Sequence, residues 1–296
     1  PALIGQEVST PEDAERMMVP VRGHCLAKMG LESAVWYLLA LANGISVEWL
    51  LGVTQTKLTV SVSIGVQASV HVLLERIESF WERGYSRIKI KIRPGWDVDI
   101  VRQIRARFPE VPLMVDANSA YSLSDAGHLG VLDEFDLMMI EQPLAHDDLV
   151  DHAELQRRMS TPICLDESVP SLAAARAALA LGSGRIINIK PGRVGGLTVA
   201  AAIHDLCRSQ DIPVWCGGML ETGIGRAHNV ALASLPGFVF PGDISATDRY
   251  YAEDITNEVF KLETGSKINV PKGPGLGVSI NRDSLEKFSV KRSTIS

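Results

Sequence analysis

Five charged residues of this chain each close a short apolar run, and they recur at a nearly constant interval. Lys91, Asp116, Glu141, Asp166 and Lys190 stand 24 or 25 residues apart. An interval of that length holds one strand, one helix and two short links, the unit of a parallel sheet covered by helices. The runs ahead of the charges, Met114-Val115 before Asp116 and Cys164-Leu165 before Asp166, are apolar on consecutive residues. Strands buried on both faces carry that pattern.

Extending the interval in both directions predicts strands at 58–64, 87–92, 113–116, 137–141, 163–166, 185–190, 214–216 and 238–240. Helices are expected between them, at 68–83, 97–108, 122–133, 148–159, 171–181, 197–210 and 225–235. Such strict alternation leaves an open doubly wound sheet or a closed barrel. No G-x-G-x-x-G follows the first strand, and eight strands suit a barrel. The fold class is therefore α/β, a (β/α)7β barrel. Residues 1–57 read as helical. Ser9-Thr10-Pro11-Glu12 is a helix start, 21–43 a long helix closed by Asn43-Gly44, and 46–51 a short helix ending at Gly52. After Tyr251 the alternation dissolves, and 259–278 reads as a β-rich tail outside the barrel.

Composition narrows the function. A net charge of −6 with no basic run argues against nucleic-acid or anionic-membrane partners. The most apolar segment, residues 34–42, is too short to span a bilayer, and no signal peptide is read at the start. Cys25, Cys164, Cys207 and Cys216 form neither a C-x-x-C pair nor a zinc or disulfide pattern. They are expected as reduced thiols of a cytoplasmic protein.

In a barrel of this kind, functional groups sit at the C-terminal ends of the strands. Asp116, Glu141 and Asp166 close three consecutive strands, and neighbouring strands lie about 4.8 Å apart. One such acid is most often a solvated strand end; three in step are poorly explained that way. Crowded carboxylates repel, and a hard divalent cation held by oxygen ligands, above all Mg²⁺, relieves this. Mn²⁺ or another divalent ion is an expected substitute. Lys89 and Lys91 share a face of the second strand, and Lys190 closes the sixth, opposite it in a ring of eight. A carboxylate substrate at the metal would have an amine on each face of its α-carbon. That arrangement suits proton transfer through an enediolate. A lysine base needs a lowered pKa, and its neighbour Lys89 and the metal charge are expected to supply it.

The motifs KIK (89–91), DAN (116–118), IEQP (140–143), LDES (165–168), NIKPGRVGG (188–196) and WCGGMLETGIGR (215–226) together resemble the enolase superfamily, muconate-lactonizing subgroup. With PGDISATDR (241–249), they closely resemble the N-acylamino acid racemases, also called N-succinylamino acid racemase/o-succinylbenzoate synthases. The resemblance implies Lys91 and Lys190 as acid/base pair, Lys89 in support, and Asp116, Glu141 and Asp166 as Mg²⁺ ligands. It implies Asn118, Met219 and Tyr250 as substrate contacts and Arg193 as a group positioned around Lys190. It also implies a homo-oligomer acting on a small carboxylate. The expected domains are a partial α+β capping domain (1–57, its early strands missing), the barrel (58–250), and a tail returning to the cap (251–296). The expected activity is racemisation of N-acyl, specifically N-succinyl, amino acids. The alternatives are the dehydration that makes o-succinylbenzoate in menaquinone synthesis, both activities together, or an inactive truncated chain. Dipeptide epimerisation is disfavoured, because no acidic pair is placed to hold a substrate ammonium.

Overall fold

The computed structural model describes residues 3–53 and 55–293. Three helices come first: α1 (Pro11–Met18), α2 (Cys25–Ala42) and α3 (Val47–Leu50). Two short strands follow, β1 (Lys57–Thr59) and β2 (Val62–Ile64). The alternation then runs α4 (Val70–Glu82), β3 (Ile88–Lys91), α5 (Val98–Arg107), β4 (Leu113–Asp116), α6 (Ala126–Gly130), β5 (Ile140–Glu141), α7 (Val150–Arg158), β6 (Ile163–Leu165) and α8 (Leu172–Leu181). It continues through β7 (Ile186–Ile189), α9 (Pro191–Val194), α10 (Leu197–Arg208), β8 (Val214–Cys216) and α11 (Gly223–Ala233). The last elements are β9 (Lys267–Asn269) and α12 (Arg282–Phe288). β2 to β8 form one curled parallel sheet in sequence order.

Several expectations need correction. The strand expected at 58–64 is two. β1 pairs antiparallel with β9 outside the barrel, and β2 opens the barrel sheet. The chain changes partners between them: Val60 N donates to Ser266 O, and Ser61 N to Gly242 O. The strand expected at 238–240 is a single bridge to Val214. The gap between β8 and β2 is sealed by irregular backbone: Asp243 N donates to Cys216 O (2.9 Å) and Gly242 N to Thr59 O (3.1 Å). Pro241 and Gly242 interrupt a regular ladder here. The helix expected at 122–133 is a short α-helix between two 3-10 turns, 123–125 and 131–135. The long first helix starts at Cys25 rather than residue 21, because Gly23 and His24 both take left-handed φ. The tail holds α12 as well as β9.

Two apolar cores result. Met114, Met139, Cys164, Ile186 and Trp215 fill the barrel interior, and the larger core lies between strands and helices. Inward-facing positions continue past this interior layer to the charged strand ends. The four cysteines are unpaired, and three of them are buried.

α2 is long and apolar enough, by length and composition, to cross a bilayer. One of its faces is buried through Glu32, Ser33, Trp36 and Ala40, while Leu31, Leu38 and Leu41 are exposed. Glu32 docks it on the barrel. Its carboxylate accepts from Leu197 N (2.9 Å) and Thr198 N (2.8 Å), the free amides at the start of α10, and from Trp36 Nε1 (2.9 Å). A Cβ on Gly196 would stand in the space this carboxylate fills, so glycine is required there.

His228, on α11, is 5% exposed. Burial pushes its pKa from 6.5 to about 4, against the carbonyls of Ile224 and Ser33, which favour the cation. Below 6.5 the unfolded chain binds a proton that the folded chain refuses until about pH 4, so this contribution to stability is lost as pH falls through that window. The loss amounts to ~3 kcal/mol. Urea unfolding at pH 7 and pH 4.5 should show a smaller acid loss for His228→Gln than for the parent; equal losses would clear His228 of this role.

Candidate active site

The sheet register sets the charged groups side by side. Lys91 is opposite Asp116, and Asp116 is opposite Glu141. Asp166 and Lys190 lie one residue past the ends of β6 and β7. Pro191, which has no N–H to continue a ladder, turns the chain into α9 directly after Lys190. All five groups are therefore at one end of the barrel, where the spacing had put them.

Three lysines neutralise the carboxylates. Lys91 Nζ donates to Asp116 Oδ2 (2.6 Å) and to Asn118 Oδ1 (2.5 Å). Lys190 Nζ donates to Asp166 Oδ2 (2.6 Å). Lys89 lies deeper, with Glu141 at 3.0 Å, Asp243 at 2.9 Å and Asp116 at 3.4 Å. Exposure separates their roles: the Lys91 side chain is 31% exposed, that of Lys190 11%, and that of Lys89 3%. Lys91 and Lys190 can meet a ligand, whereas Lys89 cannot without rearrangement. A Cβ on Gly217 would fall 2.5 Å from Lys190 Cε, so only glycine leaves room for that side chain.

The pKa directions of the buried groups follow their contacts. Burial acts to lower Lys89, but Asp243, Glu141 and Asp116 outweigh it and hold it well above the usual lysine value. Burial likewise acts to lower Lys190, and Asp166 and Glu141 outweigh it, so its pKa is raised rather than lowered. At Lys190, contact with a carboxylate outweighs the repulsion of Lys89 and Arg193. Burial raises Asp116, with Glu141 adding to it. Burial also raises Asp166 against the pull of Lys190. Asp243 goes the other way: Lys89 and Arg87 overcome its burial and lower it.

The residues suit a hard divalent cation by type and placement. The set is all oxygen, it comes from three adjacent strands, and Asp166 Oδ1 is buried without a hydrogen bond. Among the described residues, however, no three His, Cys, Asp or Glu side chains close on a common point. Asp116 and Asp166 are turned to their lysines instead.

The remaining expected residues are placed as follows. Asn118 links Lys91 to Glu167 Oε1 through its Nδ2 (3.1 Å). Arg193 Nε stands 3.3 Å from Asp166 Oδ1. Met219 is 43% exposed, and it lines a cavity of about 470 Å³ with His24, Leu26, Gly192 and Arg193. Tyr250 is half-buried, with Arg249 over its ring. Sequence reasoning missed Asp243, Glu167, Asn188 and Arg87. Asn188 Nδ2 donates to Glu141 Oε1 (2.7 Å), and Arg87 stacks on Trp215, 4.3 Å from the ring centre. Asn188, on β7, sits two residues before Lys190, whose backbone is still extended, so period-two alternation could have found it. The same alternation groups Arg87 with Lys89 and Lys91. Asp243 gave no periodic signal, because its segment is irregular.

Comparison with known proteins accords with this geometry. Residues 72–284 match the family described as enolase C-terminal domain-like. The o-succinylbenzoate synthase of Bacillus subtilis (strain 168) is 52% identical over 291 residues, 98% of this chain and 78% of that protein. The N-succinylamino acid racemase of Amycolatopsis sp is 50% identical over 293 residues, 99% of this chain and 79% of that protein. A crystal structure of an enolase-superfamily member from Enterococcus faecalis V583 superposes with a TM-score of 0.91 at 47% identity, covering 97% of this chain and 78% of that one. Muconate lactonizing enzyme from Pseudomonas putida shares the fold, with a TM-score of 0.90 at 24% identity over 97% of this chain and 81% of its own. With lysines and carboxylates gathered at one end of such a barrel and relatives this similar along nearly its whole length, the chain belongs to the enolase superfamily, close to its o-succinylbenzoate synthases and N-succinylamino acid racemases.

Proposed function

We propose that this chain racemises N-acylamino acids, with N-succinyl amino acids as substrates, by two-base 1,1-proton transfer. The observation that carries the reading is the pair of lysines, partly exposed Lys91 on β3 and largely buried Lys190 after β7, on either side of the strands that end in Asp116, Glu141 and Asp166. One lysine takes the α-proton from its face of the substrate, and the other returns a proton from the opposite face. Their roles exchange with the enantiomer supplied. Members of the superfamily use a divalent metal with a lysine base, a known pattern. Asp116, Glu141 and Asp166 would hold Mg²⁺ here, and the ion would supply positive charge against the negative charge that develops on deprotonation. Lys89, fixed by Asp243 and Glu141, adds a cation below the site. Arg193 steadies Asp166, the partner of Lys190. Met219 and the cavity beside it take the substrate's apolar part. We assign the catalytic unit to the barrel, residues 58–250, with 1–57 and 251–296 as a layer beside it.

A second reading is favoured by the 52% identity to an o-succinylbenzoate synthase. The same site would serve that dehydration, with Lys91 taking the α-proton and returning it to the departing hydroxide, which leaves as water. Incubation with Mg²⁺ and N-succinyl amino acids of either hand in D₂O, followed by NMR, tests both. α-Deuterium entering both enantiomers is the expected result. Exchange of one hand only would leave the lyase reading in place of the racemase.

A further inference from the structure

Directly after Asp116 the backbone makes an unusual turn. Asn118 (φ 41°) and Ser119 (φ 65°) are consecutive non-glycine residues in the left-handed region. Side chains disfavour this region, serine more than asparagine, so two such residues in succession persist only where their surroundings hold them. The turn has an evident use. It lets Asn118 N donate to Asp116 Oδ1 (3.0 Å) while the Asn118 side chain reaches Lys91 and Glu167.

Part of the hold is backbone. Ser119 N donates to Gln142 O (2.8 Å), and Tyr121 N to Pro143 O (3.1 Å). The rest is one carboxylate outside the site. Asp97 Oδ2 accepts from Tyr121 Oη (2.9 Å) and pairs with His128 Nε2 (2.9 Å). Its Oδ1 accepts from Val98 N (2.7 Å) at the start of α5. Asp97 and Tyr121 are buried, at 6% and 7% exposure. The three side chains come from three places: the loop after β3, which carries Lys91; the turn after β4, which carries Asp116 and Asn118; and α6. Among the described residues, none of the three hydrogen-bonds or pairs with the lysines or the three carboxylates of the site.

We propose that Asp97, Tyr121 and His128 form a positioning clamp, which holds the turn at Asn118 and thereby aims the Lys91 side-chain nitrogen at the substrate. This rests on the two-base reading above. Tyr121 and Asp97 are positioning residues, so their loss should fall on the half-reaction served by Lys91 and spare that served by Lys190. A merely structural role would weaken both.

The test measures α-deuterium exchange for each enantiomer separately. The hand that still exchanges in Lys190→Arg identifies the one Lys91 serves. Tyr121→Phe, which deletes one oxygen from a buried ring, should slow that hand about tenfold and change the other by less than about twofold. Asp97→Asn should act in the same direction. In an Asn118→Ala background, Tyr121→Phe should add nothing further, the signature of residues acting through one another. Equal losses for both hands, no loss, or full additivity would overturn the clamp. An activity-independent readout separates it from the reading it rests on: the Asn118 side-chain amide resonance should shift in Tyr121→Phe. If the parent exchanges neither hand, the two-base reading fails, and the clamp still stands or falls on that resonance.

Discussion

Lys190→Ala will abolish racemisation while leaving deuterium exchange of one enantiomer. Racemisation by two bases needs a proton removed on one face and delivered on the other. With Lys190 gone, Lys91 can still take and return a proton on its own face, so isotope enters without inversion. The loss of a positioned acid/base group is worth about 10²–10⁴-fold, and inversion should fall at least that far. Lys190 also neutralises Asp166, which is buried, so alanine leaves a carboxylate without its partner at 2.6 Å. That destabilises the fold by up to about 3–5 kcal/mol if the acid stays charged. Lys190→Arg separates the two effects. Guanidinium keeps the charge beside Asp166 but does not deprotonate near neutral pH. Both variants should lack racemisation, and only the alanine variant should lose thermal stability. Racemisation surviving in Lys190→Arg would remove Lys190 from the reaction.

Glu141→Gln will break metal binding with little change in shape. Glu141 is fully buried, flanked by Asp116 across the sheet, Lys89 below and Asn188 beside it. Glutamine fills the same volume, but it removes one negative charge from the middle of the three acids. Hard cations depend on that charge, and binding should weaken by at least about 100-fold. Mn²⁺ titration followed by paramagnetic resonance reads this directly, without reference to turnover. Exchange of both enantiomers should fall together, roughly a thousandfold, because each half-reaction uses the same stabilising charge. Unchanged Mn²⁺ affinity would show that the acids serve only to hold the lysines.

Much of this architecture was legible as an interval. Apolar runs that end in a charge every 24 or 25 residues satisfy burial as strands of one parallel sheet, eight of them suit a barrel, and period-two alternation then puts Lys89 and Lys91 on one face. The N-terminal helix start was equally local: Thr10 caps α1, and Pro11 opens it. What escaped was non-local. The run at 58–64 is rich in β-branched residues throughout, yet it splits because Ser266 and Gly242 bid for adjacent amides. Asp243 sits on the irregular seal of the barrel, with no periodicity to mark it. Its bond to Lys89 joins residues 154 positions apart.

By itself, then, the sequence determined the class of fold and the five charges at one end of it, because strand and helix periods are properties of neighbouring residues. The tertiary structure decided which charge meets which. It set Lys190 against Asp166 and raised its pKa, because a carboxylate in contact outweighs both burial and a more distant cation. It also brought Asp97, Tyr121 and His128 together behind the turn at Asn118. No repeat in the chain announces that meeting, since hydrogen bonding between side chains depends on where folded loops come to lie.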